Sequence, residues 1–219
     1  METTLTQNLI DICAVGMLLL SLLAMSTTRM NQLMNAFAAQ SLFLVALAVV
    51  IGISTGHTNI FIVGGITLVV KVILIPWFLK YASQRIKSGR EVDSSIGIPT
   101  SLLISACLIL ISYFISAPIS EPFDTITKNC FAISLSVILI GLFMMVTRRK
   151  AITEAIGLLM MENGLFLGAL SISYGMPLLV EIGIFFDVLM VAVIVGIFMF
   201  RISQTFNSID TGFMRRLKD

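Results

Sequence analysis

The chain is poor in the residues that build soluble catalytic sites. Histidine occurs once, at His57, among 219 residues. The three cysteines, Cys13, Cys107 and Cys130, stand far apart in or beside apolar runs, with no CxxC pair and no Cys/His cluster. Such a chain has no soft-ligand set for zinc, nickel or an iron–sulfur cluster. The cysteines read as small buried apolar side chains. Glycine-rich phosphate loops, nucleophile triads and nucleic-acid-binding motifs are also missing. No catalytic residue, cofactor or metal is therefore expected in this chain, and no nucleic-acid partner.

Charge is scarce as well. Only 12% of residues are charged and 58% are hydrophobic, against roughly 25% charged in a soluble domain. Mean hydropathy is +1.03. So many apolar side chains cannot all hide in one small core, and the lipid bilayer must be a partner. No polar stretch is long enough for a soluble domain. The N-terminal apolar run has no Lys or Arg before it, which predicts a retained first helix rather than a cleavable signal.

What the chain does have is long apolar runs. Seven are near the ~20 residues a helix needs to cross hydrocarbon. They lie at about 7–26, 34–54, 59–81, 97–116, 129–147, 152–174 and 177–200. Helices alone satisfy their backbone bonds in lipid at these lengths. The expectation is an all-α polytopic membrane bundle of about seven transmembrane helices. Basic residues test that count. With seven spans, twelve of the 14 Lys and Arg fall in or beside the connections 27–33, 82–96 and 148–151 and the C-terminal tail. Lys128 alone falls on the other side, and Lys71 lies within a span. The positive-inside rule then puts the N-terminus outside and the C-terminus in the cytoplasm.

The longest connections flank span four, whereas spans five to seven are joined by "TRRK" and "YGMP". Short connections make antiparallel neighbours. The expected organisation is a three-helix segment (1–96), a connecting helix and loop (97–128), a second three-helix segment (129–206) and a cytoplasmic tail (207–219). A weak echo between 28–47 and 147–170, and between 80–86 and 200–206, raises the idea of parallel repeats.

A few charges sit inside the apolar runs. Asp11 and Glu181 lie within about two turns of the outer ends, and Glu154 within about one turn of the inner end, where side chains reach water. Lys71, Glu162 and Asp187 lie deeper. At ~1.5 Å per residue they are roughly 14, 18 and 20 Å from the inner ends of their spans. That is the middle of a layer about 30 Å thick. Each costs about 2.5–3.5 kcal/mol there on insertion scales, so each must face protein or water and find partners. Two readings stand open. A carboxyl held out of water can exchange a proton near neutral pH, which makes these residues a proton path, with Glu181 and Glu154 as outer members. Alternatively they are ion-paired or neutral glue between helices. A retinal pump is excluded by the absence of lysine from span seven.

Other features refine the picture. Pro76 in "KVILIPWF" offers no N–H, so the Val72 carbonyl is expected to lose its helical partner beside Lys71. Gly157, Gly164 and Gly168 share a face suited to close helix packing, well around the helix from Glu162. Gln40 and Asn35 are uncharged and can hydrogen-bond across helices. The thirteen methionines show no ligand spacing and read as filler.

Several stretches carry a family likeness. "AAQSLFLV" (38–45), "KVILIPWFLKYASQ" (71–84), "LLMMENG" (158–164), "LVEIGIFFDVLMVAVIV" (179–195) and "SIDTGFMRRLKD" (208–219) resemble the hydrogenase-4 component E family, in order and over nearly the whole chain. The last three helices more distantly resemble the K (chain 4L) subunit of respiratory complex I and the C subunit of multisubunit cation/proton antiporters. The resemblance implies a small subunit in a bacterial or archaeal inner membrane, part of a nickel–iron hydrogenase complex such as a formate hydrogenlyase. Its expected partners are antiporter-like and complex I-like membrane subunits and a cytoplasmic hydrogenase arm. That arm would carry the nickel–iron centre and the iron–sulfur clusters. The two mid-membrane carboxylates of the K subunit would correspond to Glu162 and Asp187. The chain 4L pattern has Glu directly after Gly-Leu, whereas Gly157-Leu158 is followed by Leu159 and Glu162 comes three residues later. That is about one turn along the same helix face.

Overall fold

A computed structural model describes residues 2–55, 58–85, 92, 94–119 and 128–173. The seventh expected span, Glu181, Asp187 and the tail lie outside these residues. Within them the chain is helical throughout: α1 (Glu2–Ser26), α2 (Met30–Thr55), α3 (Thr58–Thr67), a π-helical segment (Leu68–Leu74), α4 (Ile75–Arg85), α5 (Ile98–Ile119), α6 (Lys128–Thr147) and α7 (Ala151–Ser173). The segments α3, π and α4 follow one another as a single span. Six helices among the described residues are long and apolar enough to cross a membrane, and the fold is a polytopic membrane helix bundle. Their bounds, such as Leu5–Ser26 and Cys130–Thr147, fall within about four residues of those expected.

The third span differs from expectation. Its irregularity begins well before Pro76, as a widened π turn over Leu68–Leu74. The Ile75 N–H bonds the Val70 carbonyl, five residues back. In that register a carbonyl looks to the N–H five residues on, which for Val72 is Trp77 and not Pro76. The same register directs the Lys71 carbonyl to position 76, so the missing proline N–H bears on Lys71 rather than on Val72, and π turns inside α-helices are frequent at functional sites. Lys71 sits within the π segment and is 1% exposed. Below it, Trp77 and Tyr81 stack with ring centroids 6.2 Å apart. Both are exposed, as befits aromatics near a membrane interface.

The core falls into two apolar layers. One holds Met25, Phe37, Leu79, Met144, Ile156 and Leu159. The other holds Ile10, Met17, Leu47, Ile60, Val137 and Leu167. Each layer draws on α1, α2, α6, α7 and the third span, and the order of residues along each helix alternates as antiparallel neighbours require. The connections at one end are knitted together. The Val92 N–H donates to the Thr28 carbonyl (2.7 Å) and the Ser95 N–H to the Thr147 carbonyl (2.9 Å). The Arg149 Nε donates to Ser95 Oγ at 3.0 Å. These are three of the four basic regions that the charge distribution assigns to one side.

Arg148, read from sequence as one more loop charge, is buried. Its guanidinium donates to the carbonyls of Ala24 (3.3 Å) and Met25 (2.8 Å). Those carbonyls lie in the last turn of α1, where a cation also meets the negative end of the helix dipole. Burial pushes the guanidinium below its ordinary pKa, and the two carbonyls offset that loss of water.

Helices α6 and α7 pack most closely. A Cβ on Gly141 would stand 2.7 Å from the Met161 backbone N and 2.9 Å from the Gly157 carbonyl O. On α7, a Cβ on Gly164 would stand 3.0 Å from the Ile138 N. The glycine face therefore does what its spacing suggests: it brings two backbones into contact. Helix α5 is peripheral, resting on α6 and α1, with Leu103, Leu110 and Phe114 exposed.

Candidate functional site: a buried polar layer

Between the two apolar layers lies a layer of polar side chains. Ser21 of α1, Gln40 and Ser41 of α2, Lys71 of the π segment, and Glu162 and Asn163 of α7 are all buried. Each is flanked along its helix by members of both apolar layers, as Met17 and Met25 flank Ser21 and Met160 and Leu167 flank Glu162 and Asn163. Four elements thus converge at mid-depth.

The charged half is an ion pair. Lys71 Nζ lies 3.1 Å from Glu162 Oε1, with the two side chains 1% and 6% exposed. The same ammonium donates to Asn163 Oδ1 at 3.2 Å. Two acceptors from successive residues of α7 thus hold one cation. The π segment makes this possible by turning Lys71 toward α7 from a span otherwise lined with exposed Val69, Ile73 and Leu74.

The uncharged half runs on from Asn163. Its Nδ2 donates to Gln40 Oε1 at 3.3 Å and to Ser41 Oγ at 3.0 Å. Gln40 Nε2 in turn donates to Ser21 Oγ at 2.8 Å, and Ser21 Oγ–H donates to the Met17 carbonyl at 2.9 Å. The direction of every amide follows from its partners. With its NH2 end bound to α2, Asn163 must present its oxygen to Lys71. The layer is therefore a continuous hydrogen-bonded chain from α1 through α2 and α7 to the third span.

Of the residues singled out in the sequence, Lys71 and Glu162 meet directly. Gln40 hydrogen-bonds across helices as expected, whereas Asn35 is exposed on α2. Glu154 is exposed in the first turn of α7, where a carboxylate suits the positive end of the helix dipole. It lies eight residues before Glu162, about 12 Å away along the axis. Among the described residues, no group of three or more His, Cys, Asp or Glu lies close enough to hold a metal ion.

Two relatives match nearly end to end. The Mycobacterium tuberculosis (strain ATCC 25618 / H37Rv) protein named "Uncharacterized protein Rv0085" is 31% identical over 212 residues, 96% of this chain and 96% of its own length. "Hydrogenase-4 component E" of Escherichia coli (strain K12) is 27% identical over 202 residues, 92% of this chain and 94% of its own. The chain belongs to the hydrogenase-4 component E family. No family model matches the chain, and no solved structure matches it.

Within this family member, the sequence left three participants unmarked. Asn163 was visible only as a polar neighbour of Glu162. Ser21 and Ser41 had no signal, because serine in an apolar helix usually bonds its own backbone. Ser105, Ser136 and Ser171 do this here, each donating to the carbonyl four residues back at 2.8 Å.

Proposed function

We propose that this chain is an integral subunit of an energy-converting nickel–iron hydrogenase complex of the formate hydrogenlyase type. In this reading Lys71 and Glu162, with Asp187 and Glu181 further along the chain, form part of its mid-membrane proton path. Family membership supports the complex. The buried Lys71–Glu162 pair carries the proton reading.

Energetics favour a working role for the pair over a stabilising one. Desolvating two ions costs several kcal/mol each, and well-packed apolar residues of similar volume often serve as well or better. A pair at mid-depth is therefore a poor choice of glue. It is a good choice for moving a proton, since a carboxyl and an amine in contact can exchange charge as either changes partner. The chain's own residues bind no metal in this reading. The nickel–iron and iron–sulfur chemistry belongs to the cytoplasmic arm, and antiporter-like subunits continue the path.

A second reading keeps the chain as a structural membrane-arm subunit. The amide and hydroxyl arm through Gln40 and Ser21 supports it, because such cross-helix bonds add cohesion. A C-type subunit of a cation/proton antiporter is the remaining alternative. Purification of the full chain from native membranes, with mass spectrometry of its partners, separates the assemblies. Hydrogenase subunits in the eluate are the expected result. Antiporter subunits without any hydrogenase arm would overturn the assignment.

A further inference from the structure

The polar layer has the makings of a cation site, and a side chain of the protein already fills it. Glu162 supplies a carboxylate oxygen and Asn163 an amide oxygen, both directed at one point. Gln40 and Ser41 tie back the NH2 end of Asn163 so that its oxygen, not its nitrogen, faces that point. Oxygens of this kind suit hard metal cations. What occupies the point is Lys71 Nζ, 3.1 Å from one oxygen and 3.2 Å from the other.

We propose that the Lys71 ammonium is a tethered cation that excludes sodium from this layer, making Lys71 the residue that restricts the path to protons. The inference deepens the proton-path reading and rests on it. Three physical arguments lead to it. A sodium ion entering beside Glu162 would meet a like charge at contact distance in a medium that screens poorly. It would also have to strip the ammonium from two oxygens it already holds. Finally, the amide arm leaves the layer little freedom to re-aim oxygens, because turning Asn163 would break its bonds to Gln40 and Ser41 together. A proton needs no such cage. It can travel as a change in which group carries it.

The chemistry makes a reciprocal demand. With Lys71 replaced by methionine, the carboxylate and the amide oxygen remain, and the tethered charge is gone. The site should then take sodium. The experiment is thermal unfolding of the purified full chain in sodium, potassium and choline chloride at equal ionic strength. Wild type should unfold at the same temperature in all three salts. Lys71→Met should unfold earlier in choline and be raised by sodium in a saturable way, by a few degrees. The double variant Lys71→Met/Glu162→Gln should lose that rise. A sodium-specific rise in wild type, or a Lys71→Met protein blind to sodium, overturns the proposal. Should Lys71→Met not yield folded protein, Lys71→Gln and wild type carry the same comparison, and radioactive sodium uptake by the intact complex in vesicles adds a second reading. Sodium movement coupled to wild-type turnover contradicts the exclusion. Failure of the underlying proton path has a different signature: unchanged proton translocation in Glu162→Gln.

Discussion

Helix α7 has two working faces, and they are built from opposite materials. One presents Glu162 and Asn163 to the third span and α2. The other presents Gly157, Gly164 and Gly168 to α6. The first brings charge and hydrogen-bonding groups to mid-depth. The second removes side chains so that backbones touch. Gly164 follows Asn163 immediately in sequence, and a helix turns 100° per residue, so the two faces need only small steps along the chain. The lesson is that precise support and polar chemistry share one helix without sharing any surface.

The largest effect should come from the polar face. Lys71→Met strips Glu162 of its ammonium, and breaking a buried pair costs about 3–5 kcal/mol. The apparent Tm of the purified chain should fall well below wild type. Next comes the glycine face. Gly141→Ala on α6 puts a methyl group 2.7 Å from a backbone nitrogen, which cannot step aside. About 2–3 kcal/mol, toward the upper end of overpacking costs, is expected, again read as apparent Tm. Asn163→Leu should follow, at about 1–2 kcal/mol, since Lys71, Gln40 and Ser41 each lose a bond to it. Gly168→Ala should be the mildest, below about 1 kcal/mol. Its nearest neighbour is the Ser134 hydroxyl at 3.0 Å, which can rotate away. A Gly168→Ala effect equal to that of Gly141→Ala would mean that the glycine face acts as a single rigid seam.

The sequence made the two faces unequally legible. Spans could be read closely because about twenty consecutive apolar residues have few alternatives in water. The shared end of the connections followed from basic charge alone, and hydrogen bonds between Val92 and Thr28 and between Ser95 and Thr147 join those loops. Glycine spacing announced close packing, and the α6–α7 contact supplies its partner. The polar layer was only half visible. Lys71 and Glu162 stood out by cost, but their pairing depends on the π segment. Nothing in "LVVKVIL" distinguishes a π turn from an α turn, and Pro76 signalled irregularity without its form. Asn163, Ser21 and Ser41 escaped because their importance lies in partners 19 to 123 residues away. Arg148 was legible as a charge and not as a cap, because the carbonyls at the end of α1 have no signature of their own.

The polar face is read here as a proton path and not as glue, and one protein separates the two. The double variant Lys71→Met/Glu162→Gln replaces the buried pair with neutral side chains of similar size. Such replacements are often neutral or favourable for stability, so the complex should assemble. The measurement is protons translocated per electron passed by the assembled complex in sealed vesicles, a ratio that does not depend on how much complex is made. Assembly near wild type with proton translocation lost is the predicted result. Assembly near wild type with the full ratio retained would contradict it and leave the pair as glue.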